Sequence, residues 1–258
     1  MNAKPATVLA AACLALSFPA AADDFSWKGA VARGAVLEIK GVNGGIDATA
    51  APGAEAEVTA IKRARRSNPD DVEIKVVEHS GGVTICAVYP SHGGRANTCE
   101  AGEGGHMHTR DNDVNVEFTV KVPAGVRFVG RTVNGGIEAT GLPGDAEAYT
   151  VNGSVRLEAA GVARGETVNG GIRASLGRAD WTGELKLNTV NGGIRLELPE
   201  GTNVDVKAET VNGSISTDFP LTVMGKFNRR RLSGQIGSGG RELELNTVNG
   251  SIDIKKRL

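Results

Sequence analysis

The stretch ELKLNTVNGGIRLEL, residues 184–198, decides the fold of this chain. Apolar and charged residues alternate with a period of two on each side of a central word, TVNGGI, and this alternation predicts two short β-strands. Variants of the word occur seven times, and each contains an asparagine followed by a glycine. The seven asparagines are Asn43, Asn134, Asn152, Asn169, Asn191, Asn212 and Asn249.

The repeated word favours stacked corners over a string of hairpins. From Asn134 onward the asparagines are 18, 17, 22, 21 and 37 residues apart, which is typical of a solenoid. Asn-Gly is also a hairpin signal, but a string of hairpins would have diverse turns. We therefore predict an all-β fold, a single-stranded parallel β-helix (β-solenoid). Its asparagine amides would hydrogen-bond along a column, and its glycines would allow positive φ at the corners.

The direction of the valine in each word is ambiguous, because a corner interrupts the alternation. Counting by twos from Leu245 places Thr247 inside and Val248 outside, whereas counting through the corner to Ile252 allows Val248 to lie inside. A column of seven identical exposed apolar residues would favour aggregation. We therefore expect the valine and the isoleucine of each word to point into the core.

The sequence divides into three parts. Residues 1–22 contain one lysine, an apolar run and an A-x-A ending, as in a signal peptide, and a lipoprotein signal at Cys13 is the alternative. Residues 23–130 are strand-rich and less repetitive. We expect them to cap one end of the solenoid, because an uncovered sheet edge would recruit other strands. Residues 131–258 contain the regular coils, with an insertion at 225–240.

Export would favour a disulfide between Cys86 and Cys99, the two cysteines that follow the leader. Three histidines, His92, His106 and His108, lie in the same region. His106 and His108, with aspartates nearby, have ligand types that suit zinc or copper, and they are weak metal candidates. We expect a hydrophilic surface loop there, with neither a bound metal nor a cofactor.

The composition excludes several classes of protein. Lys and Arg total 29 and Asp and Glu total 30, so the chain has no global charge that would attract nucleic acid. Aromatic residues make up only 4%, which argues against a wide aromatic-lined pocket.

Two basic clusters, Lys62–Arg66 and Arg229–Arg231, are interpreted as solvated loops, with contact to lipid headgroups or anionic polymers as the alternative.

No catalytic motif is present in the sequence: it has no G-x-S-x-G, P-loop or H-E-x-x-H pattern. Solenoid enzymes that act on polysaccharides need carboxylates gathered on one face, whereas the position after the isoleucine or valine of each word is mixed in charge. Three consecutive coils carry an arginine there, which is a weak candidate stripe for an anion or a glycan. The seven residues are Asp47, Glu138, Arg156, Arg173, Arg195, Ser216 and Asp253.

The VNGGI and VNGSI words, the VPAG stretch at 122–125 and the GSGG at 237–240 before a final ELELNTVNGSI resemble a bacterial family. These are the adhesin-like β-helix proteins of the cell envelope, whose function is unknown. The resemblance implies an exported, right-handed parallel β-helix, and it brings no catalytic residues. No long apolar segment follows the leader, so no transmembrane segment is expected.

The expected function is that of an exported, non-catalytic protein for interaction, adhesion or scaffolding in the bacterial cell envelope, in the periplasm or at the cell surface. Its partner would be an envelope protein or a polysaccharide, not a nucleic acid, and the oligomeric state is left open. Two alternatives remain: a polysaccharide-processing β-helix enzyme, and a periplasmic sensing partner of a regulatory system.

Overall fold

The computed structural model describes residues 25–91, 94–223 and 228–257. The predicted leader, its Cys13, His92 and part of the insertion lie outside the described residues. Strands predominate, and the helical structure in the described part is one 3₁₀ turn at Pro69–Asp71. The strands are β1 (Phe25–Ala30), β2 (Val36–Lys40), β3 (Ile46–Ala50), β4 (Glu55–Arg63), β5 (Glu73–His79), β6 (Gly82–Val88), β7 (Asn115–Val122), β8 (Arg127–Arg131), β9 (Ile137–Leu142), β10 (Ala146–Tyr149), β11 (Val155–Ala159), β12 (Ala163–Glu166), β13 (Ile172–Leu176), β14 (Glu184–Asn188), β15 (Ile194–Leu198), β16 (Val204–Asn212), β17 (Ile215–Thr217), β18 (Leu221–Val223), β19 (Arg231–Ile236), β20 (Glu242–Asn249) and β21 (Ile252–Lys256).

The strands form two sheets that the repeated word connects. Sheet 1 has ten strands in the order β1-β4-β7-β3-β9-β11-β13-β15-β21-β17, and sheet 2 has eleven in the order β18-β19-β16-β20-β14-β12-β10-β8-β2-β6-β5. We call a rung one strand of sheet 2, the corner word and the next strand of sheet 1. The pairs β2/β3, β8/β9, β10/β11, β12/β13, β14/β15, β16/β17 and β20/β21 are the seven rungs.

Neighbouring rungs pair in parallel and in register. Ile194 of β15 lies beside Ile172 of β13 on one side and Ile252 of β21 on the other. Antiparallel strands flank the stack at both ends: β1, β4 and β5 at one end, and β18 and β19 at the other. The prediction of an all-β fold with parallel strands is confirmed, and the handedness of the winding stays a prediction.

The core lies between the two sheets and consists mainly of valine, isoleucine, leucine and alanine. The period-two pattern of the sequence produces it: Leu185, Leu187, Leu196 and Leu198 are fully buried, while the charged residues between them face outward. Every buried side-chain polar atom in the described part of the chain has a hydrogen-bond partner.

The spatial order of the last two rungs is the reverse of their order in the sequence. Strands β20 and β21 lie between β14/β15 and β16/β17, so the end of the chain is inserted inside the stack. The outer edge of β16 pairs with the antiparallel strand β19. At the other end, the first rung, at 36–50, already belongs to the stack, although it lies within the region expected to be a cap.

The expectation that the valine of the word points inward is wrong for six of the seven words. These six valines are 38–55% exposed, whereas Val42 of the first word is buried. The threonine of each of the six words is buried instead, and the isoleucine or valine after the glycines faces the core in all of them except Ile215, which is half-buried. The six exposed valines are Val133, Val151, Val168, Val190, Val211 and Val248.

The predicted disulfide between Cys86 and Cys99 is present and joins β6 to the loop that precedes β7. That loop lies on the outer face of sheet 2. The Lys40 ammonium donates to the carbonyl of Glu100 at 2.6 Å, and the Gly102 amide donates to the Glu38 carboxylate at 2.8 Å. The crosslink and these contacts fix the loop over the first rung.

Candidate functional site: the corner ladder and its groove

The corner asparagines form one continuous amide ladder along the stack. From the second asparagine of the stack onward, each Nδ2 donates to the Oδ1 of the preceding asparagine at 2.7–2.9 Å, so that all seven asparagines take part. The spatial order is Asn43, Asn134, Asn152, Asn169, Asn191, Asn249 and Asn212. At the first rung, the amide of Asn43 donates to the carbonyl of Val114 at 3.4 Å.

The threonine that begins six of the seven words explains why the valine of these words faces outward. The Thr189 hydroxyl donates to the carbonyl of Gly170 on the neighbouring rung at 2.8 Å, and the other five threonines make the equivalent bond. A half-buried carbonyl without a donor is costly. Threonine is the β-branched residue that offers a hydroxyl, so it occupies the inner position and valine faces solvent.

The first glycine of each word is needed for close stacking and not for positive φ. Only Gly44 among these glycines has φ in the left-handed range, at 122°. A Cβ on Gly170 would lie 2.1 Å from the carbonyl oxygen of Gly153 on the next rung, and the equivalent glycines are equally crowded. The predicted role of glycine at the corner is therefore corrected: it allows the rungs to approach each other.

A groove runs along sheet 1 beside this ladder, with a volume of about 790 Å³. It crosses six rungs, and therefore about 24 Å at the usual strand spacing of about 4.8 Å. The second glycine or the serine of the corner words lines it, together with the outward residue that follows the isoleucine or valine. The three arginines of the predicted stripe and the three acidic residues of the same column, Asp47, Glu138 and Asp253, thus line one surface.

The central section of the groove is basic. Arg156, Arg173 and Arg195 lie in register on adjacent strands. Arg156 pairs with Glu158 at 2.7 Å and Arg195 pairs with Glu197 at 3.2 Å, in each case two residues along the same strand. In the part of the chain that the structure describes, Arg173 has no ion pair, because the matching position holds Ser175.

One end of the groove is acidic. Asp47, Glu117 and Glu138 line it, and the Glu117 carboxylate accepts the Gly45 amide at 2.9 Å. Burial raises the pKa of Asp47 above its usual value, and the neighbouring carboxylates of Glu138 and Glu117 add to this shift. The sequence predicted Asp47 and Glu138 on the same column, but it gave no indication of Glu117, which lies outside the repeats.

The metal candidates do not converge on a site. No group of three or more metal-ligating side chains occurs in the described ranges. The backbone amides of His106 and His108 donate to Thr98 and Asn97, which orders the loop. The nearby Asp113 carboxylate accepts the Ser67 amide at 2.8 Å, and this bond and others from the same loop lower its pKa to about 2.

The two basic clusters lie at opposite ends of the fold and outside the groove. At the end of β4, Lys62 and Arg66 contact Asp70 and Asp113, each at 3.8 Å. Beside β16, Arg231 pairs with Glu209 at 2.9 Å.

A buried charged network lies on the outer face of sheet 2, and no pattern in the sequence indicated it. The Glu38 side chain is only 4% exposed; its carboxylate pairs with Arg131 at 3.0 Å and accepts the Thr84 hydroxyl at 3.1 Å. The Arg131 guanidinium lies 4.2 Å from the centre of the Tyr149 ring. Glu38 occupies an outward position of a regular strand, so no local pattern predicts that a distant loop covers it.

Two solved structures are similar to the chain at low identity. One is described as a "putative cell adhesion protein" from Clostridium sporogenes ATCC 15579, with 14% identity, coverage of 90% of this chain and 99% of that chain, and a TM-score of 0.46. The other, a "putative adhesin" from Bacteroides fragilis NCTC 9343, has 13% identity, coverage of 90% and 96%, and a TM-score of 0.36.

No curated protein matches the chain. None of the helical structure in the described ranges is long and apolar enough to cross a membrane. Residues 130–255, which carry six of the seven corner words, match the model of the protein family described as Toastrack DUF4097.

Proposed function

We propose that the chain is an exported, non-catalytic, right-handed β-solenoid that acts as an interaction, adhesion or scaffold protein of the bacterial cell envelope. The observation that carries the proposal is the unbroken ladder of seven corners, which holds one long surface in a fixed register. We call this surface, formed by the exposed valines, the asparagine ladder and the groove, the corner face. In this proposal, residues 1–22 are a signal peptide, residues 23–130 are a strand-rich part that supplies the first rung and the cap with its disulfide-bearing loop, and residues 131–258 form the regular coils with an insertion at 225–240.

The hydrogen bonding of the corner supports a rigid contact surface. In each of the six threonine-containing words, the threonine hydroxyl and the asparagine amide bond to a neighbouring rung, and backbone amides of the corner do the same. Movement of one corner therefore breaks bonds on both sides of it. The exposed valines add an apolar strip about as long as the groove, and strips of this kind occur at contact sites more than on free surfaces.

Export is supported by the disulfide together with the composition of the leader. Disulfides persist in oxidising compartments and are rare in the cytosol. The crosslink of Cys86 and Cys99 closes the loop that covers Glu38, so its reduction would loosen the end of the stack.

The test uses the mature protein, residues 23–258, and isolated envelope fragments of a bacterium that produces it. We expect the protein to sediment with the fragments and Val168→Glu to reduce this binding at least fivefold. Lys207→Gln is the matched control, since it changes the net charge by the same amount on the outer face of sheet 2. Equal binding by the wild type and Val168→Glu, or no binding at all, would contradict the proposal.

One observation favours a second candidate, a polysaccharide hydrolase. Three carboxylates line one end of the groove, and the pKa of Asp47 is shifted upward, which is the direction that a general acid requires. A protonated Asp47 would donate its proton to a glycosidic oxygen, while Glu138 or Glu117 would act as base or nucleophile. Release of reducing ends from a polysaccharide, abolished by Asp47→Asn, would establish this activity and exclude the non-catalytic proposal.

A further inference from the structure

The three arginines of the groove are arranged at a cost to the fold. Arg156, Arg173 and Arg195 are direct neighbours on adjacent parallel strands, about 4.8 Å apart from strand to strand. Like charges directly opposite each other destabilise a sheet. The repeat places small or acidic residues at this position on other rungs, so the fold itself does not require three cations in a row.

The two outer arginines are partly neutralised, and the central one is not. Glu158 and Glu197 each lie two residues along the strand from Arg156 and Arg195 and pair with them. The equivalent residue beside Arg173 is Ser175, which is buried and uncharged. A guanidinium with five donors therefore lies at the centre of the groove with its hydrogen-bonding capacity unused by the described side chains.

The shape of the groove selects a linear ligand. Its floor beside the arginines is formed by the second residue after each asparagine, which is glycine at 136, 171 and 193 and serine at 154 and 251. Backbone stacking does not require glycine there, since serine occupies the same place on other rungs. Glycine thus leaves the floor open beside Arg173 and Arg195, and Ser154 forms the floor beside Arg156.

The acidic positions limit where an anion can lie. Glu138 lies on the rung before Arg156 and pairs with it at 3.6 Å, and Asp253 lies on the rung after Arg195. An anionic ligand is attracted over these three central rungs and repelled beyond them. The basic section is therefore complementary to a short anionic segment of an extended chain that runs along the stack.

We propose that this section of the groove binds a carboxylated polysaccharide, with carboxylates of the sugars on Arg156, Arg173 and Arg195. This inference rests on the proposed function and names its partner class. A guanidinium binds a carboxylate with two parallel hydrogen bonds. The rung spacing is close to the length of one sugar unit in an extended chain, so successive arginines can meet charged groups of one glycan.

The test measures binding of a fluorescently labelled oligogalacturonate of six sugars by polarisation at low ionic strength. We expect Arg173→Gln to weaken binding at least tenfold, and the variant in which all three arginines become serine to abolish it. Lys207→Gln is the matched control, because Lys207 is an exposed cation that also has no ion pair among the described residues; its effect should be below twofold. Far-UV circular dichroism verifies that each variant is folded.

Two further ligands separate a glycan site from a general attraction of charge. Maltohexaose, of the same length and uncharged, should not bind, and a hexaglutamate peptide should bind at least tenfold more weakly than the oligogalacturonate. Equal binding of the peptide and the sugar, no binding of the sugar, or unchanged binding by Arg173→Gln would each overturn the inference. If the wild type still sediments with envelope fragments and Val168→Glu does not, the proposed function stands and only the polysaccharide assignment fails.

Discussion

At the corner position, threonine should stabilise the fold more than a valine of the same shape, because only threonine has a hydroxyl that can donate a hydrogen bond. Replacing Thr189 by valine keeps the shape of the side chain and removes the donor to the Gly170 carbonyl, a bond of 2.8 Å. No other donor to this carbonyl exists among the described residues. An acceptor left without a partner costs about 1–3 kcal/mol, and the partial exposure of Gly170 favours the lower half of that range. We therefore expect Thr189→Val to destabilise the protein by about 1–2 kcal/mol.

The assay is thermal and urea unfolding of the mature protein followed by circular dichroism. For a chain of this size the expected loss corresponds to a fall in Tm of roughly 2–8 °C. The control is Val190→Thr, which makes the opposite exchange at the adjacent residue. Val190 is 39% exposed, so water satisfies the new hydroxyl and the change should stay within about 0.5 kcal/mol. If Thr189→Val unfolds with the wild type while Val190→Thr unfolds earlier, the account of the corner is refuted.

Three other outcomes follow from the structure. Ile194→Asp should lower the free energy of unfolding by about 4 kcal/mol or more, because it buries an unpaired charge in the core, and an unchanged urea midpoint would contradict this. Gly170→Ala should lower the Tm by more than Gly171→Ala. A Cβ on Gly170 would lie 2.1 Å from the nearest backbone oxygen, whereas a Cβ on Gly171 would lie 3.3 Å from its nearest backbone oxygen. The folded-state pKa of Asp113, about 2, is below its usual value of 3.8, so its contribution to stability is present above about pH 4 and is lost as the pH falls toward 2. Asp113→Asn should therefore flatten the acid side of a Tm-against-pH curve, and an identical curve would argue against the anchoring of this carboxylate.

The repeat itself was sufficient to predict the strands, the corners and the parallel stacking of the rungs. Period-two alternation identifies a strand that is buried on one face, and the recurrence of TVNG marks equivalent positions. The spacing of Asn169 and Asn191 therefore predicted that they would be stacked neighbours. The disulfide was predicted from the cysteine count and the expected export. These features depend on residues close to one another in the sequence, or on exact repetition.

The features that sequence analysis missed depend on contacts between rungs. Glycine is required at the corner because a side chain there would collide with a carbonyl oxygen of the neighbouring rung. Threonine faces inward because its hydroxyl donates to that same oxygen. The acidic end of the groove includes Glu117 from a strand outside the repeats. The cover over Glu38 comes from a loop more than sixty residues away in the sequence. No window of the sequence contains both members of such a pair.

The sequence by itself determined that this chain forms a stack of equivalent corners. Its period-two alternation predicts the strands, and the recurring word between them predicts that the same corner is repeated. The tertiary structure decided which side chains of the word face solvent and in which order the last two rungs lie. Their words are nearly identical, so local energies cannot order them. The pairing of β16 with the antiparallel strand β19 covers the outer edge of β16, and the inner edge of β16 is where β20 adds its backbone hydrogen bonds.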